Sequence, residues 1–189
     1  MTRARTAPIS AIVINGPSSS GKSSAAKALQ RSLPGLWWHL STDSLADGVT
    51  EAVQRLIERE GRAGLERAQQ TLDLAFDCSA FVAERLIGTG QHIIVDTVLQ
   101  AGWNDAGRWN DVLDRSTSLW VGLSARPETL RSRESARHDR PAGMAERQLS
   151  TVHEGIDYDL RLDTDDIDPD GVSRIVAEAL TERANRVER

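Results

Sequence analysis

"AIVINGPSSSGKS", residues 11–23, sets an unbroken apolar run against a loop with glycine at both ends and a closing lysine–serine pair. Gly16-Pro17-Ser18-Ser19-Ser20-Gly21-Lys22-Ser23 satisfies G-x-x-x-x-G-K-[ST] at every fixed position. Gly16 and Gly21 permit backbone conformations that a Cβ would obstruct, so successive amides can turn inward toward phosphate oxygens. "SSAAKALQRSL" (23–33) follows with helical character, adding the unpaired amides and partial positive charge of a helix N-terminus. In this reading Lys22 reaches the β- and γ-phosphates and the Ser23 hydroxyl ligates Mg²⁺. Pro17, Ser18, Ser19, Ser20 and Ser24 complete the nucleotide-binding set. A serine-rich turn alone would not require strand, glycines, lysine and helix to coincide.

Four further apolar runs lie downstream: "LWWHL" (36–40), "HIIVD" (92–96), "SLWVGL" (118–123) and "YDLRLDT" (158–164). The runs at 11–15, 92–96 and 118–123 are nearly continuous Ile, Val, Leu or Trp, as strands covered on both faces require. The last run alternates, which places it at an edge or half in solvent. Helical segments are expected at 22–33, 104–114, 127–138, 143–153 and 170–186. The stretch from Thr50 to Leu86 reads as two helices broken near Gly61 and Gly64. Pro127 and Pro169 suit helix starts. Strands alternating with helices imply a parallel sheet wrapped by helices: a three-layer α/β fold with five strands, in one domain over 1–189.

Composition excludes several classes. A hydrophobic share of 39% with 27% charged residues is that of a globular protein, and no run approaches the ~18 apolar residues of a membrane span. "MTRARTAPIS" has no apolar core after its arginines, so it reads as a frayed tail and not a signal peptide. The net charge of −5 weighs against nucleic acid as partner, though a local positive pocket suffices for a nucleotide. The single cysteine, Cys78, cannot form an internal disulfide and reads as part of a buried helix face, in keeping with a reducing cytoplasm. A homo-oligomer is compatible with the sequence.

A phosphate cradle serves switches, motors and kinases alike. No guanine-reading N-K-x-D is present, and scattered arginines in a small chain point to a kinase acting on a small molecule. Such a reaction needs a positioned acceptor, charge neutralisation and a group to take the hydroxyl proton. Asp43, in "HLSTDSL", lies just beyond the second strand, where ligands bind in parallel sheets. It is either that base or a helix-capping or first-turn acid. Asp96, ending "HIIVD", sits where an acid holds Mg²⁺ or its water shell from the strand beside the loop.

Arg126, Arg131, Arg133, Arg137, Arg140 and Arg147 crowd residues 126–149. They read as a solvated helix face paired at i,i+4 with Glu134, Asp139 and Glu146, or as a lid closing over the phosphates with "RPAGM" at its tip. Arg133 and Arg137 share a face in either reading.

"IVINGPSSSGKSS", "STDSL", "IIVDTV", "WVGL", "RESARHDRPAGMAERQ" and "VHEGIDYDLRLDT" together resemble the chloramphenicol phosphotransferase family, in the family's order. The resemblance is weakest from Gly48 to Gly90. It implies an adenylate-kinase-like fold and ATP-dependent phosphorylation of an antibiotic hydroxyl, giving self-resistance, while the phosphate loop, which reads phosphates and not the base, admits ATP or GTP. By position, Asp43 matches the family's catalytic aspartate, Lys22 and Ser23 its phosphate-loop pair, and Arg133, Arg137 and Arg140 its lid arginines. His153-Glu154-Gly155 matches a family block without a role that chemistry makes evident. After the aspartate, relatives tend to read Leu-Ile-Asp-Ala-Met-Pro, whereas this chain has "LADGVTEAV" (45–53). The charged helical "RLIEREGRAGLERAQQTLDLAFD" (55–77) follows, with Trp37, Trp38, Trp103, Trp109, Phe76 and Phe81 as nearby aromatic surface. The machinery is kept and the acceptor site altered, so the acceptor is expected to be chloramphenicol-like or a nucleoside antibiotic of the capuramycin type. A shikimate- or gluconate-type metabolite kinase and a nucleotide-binding regulatory module are the alternatives.

Overall fold

The computed structural model describes residues 9–99, 105–136 and 143–187. Five strands, β1 (Ala11–Asn15), β2 (Trp37–Ser41), β3 (His92–Thr97), β4 (Ser118–Ser124) and β5 (Leu160–Asp163), form one parallel sheet in the order β2-β3-β1-β4-β5. In register, Val13 of β1 pairs with Val95 of β3 and Trp120 of β4. The three continuous apolar runs are therefore the three inner strands. The alternating run is an edge strand, and it spans only 160–163, leaving Tyr158 outside it.

The helices among the described residues are α1 (Lys22–Ser32), α2 (Thr42–Asp47), α3 (Thr50–Glu60), α4 (Arg62–Gly88), α5 (Asp105–Val112), α6 (Pro127–Ser135), α7 (Met144–Leu149) and α8 (Pro169–Val187). On one face of the sheet Ile12, Ile14, Ile94 and Val121 pack against Ala25, Leu29, Val172 and Val176 of α1 and α8. On the other, Val13, Ile93, Val95 and Trp120 meet Ala80 and Ala83 of α4, Trp109 of α5 and Leu113 beyond it. Apolar residues on alternate strand positions thus bury both faces, which makes the layers three.

Several expectations need correction. The break in the long helical stretch is at Gly61 alone, which has φ 57°. Gly64 lies inside α4, where a Cβ would come within 2.4 Å of the Leu56 carbonyl oxygen, so its missing side chain lets α3 pack closely. The expected helix at 143–153 stops at Leu149, and the short α2 was not anticipated. Cys78 is exposed, because α4 turns Ser79, Ala80 and Ala83 to the sheet instead. Of the six aromatics expected near the acceptor, Trp109 is wholly in the core, Phe81 is 68% exposed and Trp37 stacks on His92 at 4.8 Å. Trp103 lies outside the described residues.

Candidate active site

The loop between β1 and α1 is shaped by two glycines for two different reasons. A Cβ on Gly16 would lie 2.3 Å from the Leu123 carbonyl oxygen, so only glycine lets the loop pass against β4. Gly21 has open space around it but φ 91°, a left-handed backbone at the N-cap of α1 that L side chains resist. Ser19 takes φ 63° without being glycine. Such strain, on the order of 1–3 kcal/mol, tends to be stored at functional loops. Lys22 is 7% exposed and its Nζ donates to the Pro17 carbonyl at 2.9 Å. The Ser18 amide donates to Oε1 of Gln148, from α7, at 2.6 Å. The Ser19 and Ser20 hydroxyls are buried without a hydrogen-bond partner among the described residues.

This loop forms one wall of a cavity of about 340 Å³. Ser18, Ser19, Gly21, Lys22, Ser23 and Ser24 line it from the loop, and Thr42, Asp43 and Ala46 from α2. Asp96 and Val98 enter from the end of β3, and Met144 and Gln148 from α7. Leu72, Asp73, Ala75 and Phe76 of α4 close the far side. Asp43 sits in the first turn of α2, half-buried. The Thr42 hydroxyl donates to that of Thr97 at 3.3 Å, tying the start of α2 to β3.

Asp96 is 4% exposed, and β3 lies directly beside β1, so its carboxylate comes up next to the loop. Burial pushes its carboxyl up, but the close approach of His39, the Lys22 charge and the Ser23 hydroxyl together outweigh this and hold it below the ordinary value. His39 Nε2 stands 3.4 Å from Asp96 Oδ2, and neither atom has an aligned hydrogen bond. Sequence reading passed over His39. Its signal was a polar residue inside an apolar strand, on the same face of the sheet as Asp96, because β2 and β3 run parallel with Ser41 opposite Asp96.

The arginines divide. Arg126 pairs with Asp165 at 2.6 Å, and Arg131 reaches Glu128 at 3.6 Å and Glu146 at 3.5 Å. Arg133 donates to the Thr164 hydroxyl at 3.0 Å and to the Thr164 carbonyl at 2.6 Å. It lines a second cavity of about 550 Å³, which shares Ser19, Gly21 and Ser24 with the first and extends to Asp165–Pro169. Arg133 is thus beside the loop but not in the cavity of Asp43. Arg137 and Arg140 lie outside the described residues.

Glu134 is buried, and not on a solvated helix face. It is 6% exposed, accepting the Gly143 amide at 2.7 Å and the Ala145 amide at 2.9 Å at the start of α7. The Ala145 hydrogen bond, working against burial, lowers its carboxyl below the usual value. Ala125, Leu130, Ala145 and Leu149 give α6 and α7 a small core of their own.

The role of the 152–158 block is now visible. Asn15, at the end of β1, donates to the Val152 carbonyl at 2.7 Å and to the Tyr158 hydroxyl, and accepts the Leu99 amide at 2.8 Å. His153 Nδ1 meets the same hydroxyl at 2.9 Å, and burial lowers the imidazole's proton affinity. A Cβ on Gly122 would stand 3.1–3.2 Å from the Tyr158 ring, so β4 leaves room for it. The block buttresses the root of the phosphate loop.

The sequence matches the family described as chloramphenicol phosphotransferase-like protein over residues 10–181. The chain belongs to that family. It is accordingly a nucleotide-dependent phosphotransferase. A putative kinase from Chloroflexus aurantiacus J-10-fl superposes with a TM-score of 0.63 at 17% identity, covering 95% of this chain and 99% of that one. A sugar kinase from Janibacter sp. HTCC2649 gives 0.66 at 18%, covering 95% and 98%. The APS kinase of Mycobacterium tuberculosis, solved with AMPPNP and APS, gives 0.61 at 19%, covering 93% and 99%. At these identities the likeness is one of fold: the three-layer fold is that of P-loop kinases. No curated protein matches the chain. No helix among the described residues is long and apolar enough to cross a membrane.

Proposed function

We propose that the chain moves the γ-phosphoryl group of ATP or GTP to a hydroxyl of a small-molecule antibiotic, inactivating it and protecting the producing cell. The observation that carries this is that Asp43 shares one cavity with Lys22, Ser23 and Asp96. The acceptor hydroxyl gives its proton to Asp43. Its oxygen forms the new bond to phosphorus as the β,γ bridge breaks, and a nucleoside diphosphate leaves. Lys22, now folded onto Pro17, swings to the transferring oxygens and neutralises their charge. Arg133, with Arg137 and Arg140, serves the nucleotide from a lid at 126–149 within a single domain over 1–189.

Mg²⁺ suits the site. The Ser23 hydroxyl and the buried Asp96 Oδ2, which has no aligned hydrogen bond among the described residues, are hard oxygen donors lining the same cavity. When bound it would supply charge neutralisation between the phosphates. The test is to incubate purified protein with ATP or GTP and a panel of hydroxylated antibiotics, and to look by mass spectrometry for the gain of one phosphoryl. Transfer to a central metabolite and to no antibiotic would sink the reading.

A further inference from the structure

Asp73 is the part of the Asp43 cavity that phosphoryl transfer leaves without a task. It lies on α4, across from α2 and the phosphate loop, flanked by the apolar Leu72, Ala75 and Phe76. Its contacts with other described residues both end on Oδ1: Gln69 Nε2 at 3.4 Å and Arg108 Nη2 at 3.7 Å. Arg108 is not itself part of the cavity wall. It is drawn back toward Asp77 at 3.2 Å, with its guanidinium 5.4 Å from the centre of the Phe76 ring. The ring contact holds Phe76, which also packs on Trp109 at 5.6 Å and lies three residues beyond Asp73 on the same helix face.

Charge across the cavity is one-sided. Among the described residues lining it, the carboxylates are Asp43, Asp73 and Asp96, and the cation is Lys22, which stands on the phosphate side. An acceptor carrying a carboxylate or phosphate would bring a like charge beside Asp73, whose cationic neighbour Arg108 stands outside the cavity wall and is already shared with Asp77. A hydroxyl, amide N–H or ammonium group would find an acceptor oxygen there, next to an apolar wall that suits a ring.

We infer that Asp73 is a specificity residue that reads a hydrogen-bond-donor group on the acceptor, so that neutral and cationic hydroxyl compounds enter and anionic ones are refused. The inference rests on the phosphotransferase reading above and names the class of acceptor within it. It separates the cavity from one built for an acid such as shikimate or gluconate.

A matched triplet tests it. The probes are chloramphenicol, the aminodiol left when its acyl group is removed, and the N-succinyl derivative of that aminodiol. They carry the same hydroxyls with charge zero, positive and negative. With the nucleotide present, calorimetry should show the succinyl compound binding at least tenfold more weakly than the other two. Asp73→Asn should narrow that gap, and Asp73→Lys should invert it. In both variants the nucleotide KM should hold, which also reports that the fold is intact. Asp77→Asn, altering a carboxylate outside the cavity, should leave the ranking as it is. Equal binding of all three probes, an unmoved ranking in Asp73→Lys, or an equal shift from Asp77→Asn would overturn the inference. Phosphoryl transfer is scored separately: a charge ranking without transfer to any hydroxyl compound refutes the proposed function while sustaining the role of Asp73.

Discussion

At the scale of single residues, the site turns on groups whose neighbours leave them few alternatives. Asp43→Asn removes the proposed base and leaves the cradle, so nucleotide affinity by calorimetry should persist while turnover falls about 10²–10⁴-fold. Turnover at the wild-type rate would remove Asp43 from the mechanism. Gly16→Ala forces a methyl to within 2.3 Å of a backbone carbonyl that cannot rotate away. Overpacking of this kind costs about 1–3 kcal/mol, and thermal denaturation should show a loss of several degrees. Both glycines of the motif were legible in the sequence, but their separate reasons were not, because a dihedral angle and a close approach leave the same letter.

Among the elements, α6 and α7 are joined by the buried Glu134 carboxylate and a small apolar core, beside the exposed Arg131–Glu146 pair. The folded proton affinity of Glu134 is depressed below the ordinary 4.5. The stabilisation is therefore fully present above the unfolded value and is lost as pH falls through the lower, folded one. The protection factors of the amides at 143–149, taken against the intrinsic exchange rate at each pH, should fall on acidification through the carboxylate range, and Glu134→Gln should abolish that acid sensitivity. An unchanged exchange profile would show that some other contact holds α7. Charge patterning could not reveal this, since an acid one residue from an arginine in a charged run looks like a surface pair. Burial alone distinguishes the two. The same limit hid the exposure of Cys78: α4 is 27 residues long, and its apolar residues occupy more than one face. The inner strands were legible because both of their faces are buried, so continuous apolar runs had one reading.

For the molecule as a whole, sheet order brings together what the sequence keeps apart. Asp43, Asp73 and Asp96 meet in one cavity because β3 lies between β1 and β2 and α4 packs against β2, β3 and α2. The phosphate loop and Asp96 were readable from motif and strand position. Asp73 was not, because its place depends on the rotation of a long helix. Nucleotide should stabilise the fold through linkage, by about 2.7 kcal/mol at a concentration one hundred times its Kd. Chelation of Mg²⁺ should remove a large part of the resulting rise in Tm, while a rise insensitive to chelator would set Ser23 and Asp96 aside as ligands.

The hydrogen bond from the Ser18 amide to Gln148 gives this linkage a particular form. The amide already holds a carbonyl oxygen supplied by α7, so the protein carries an internal competitor for one position of its own cradle. A phosphate oxygen arriving there exchanges one acceptor for another, and the net gain at that amide is a difference between two bonds. The exchange also frees Gln148, and with it α7, from the loop. Occupancy of the cradle and attachment of α7 to it are then alternative uses of a single N–H.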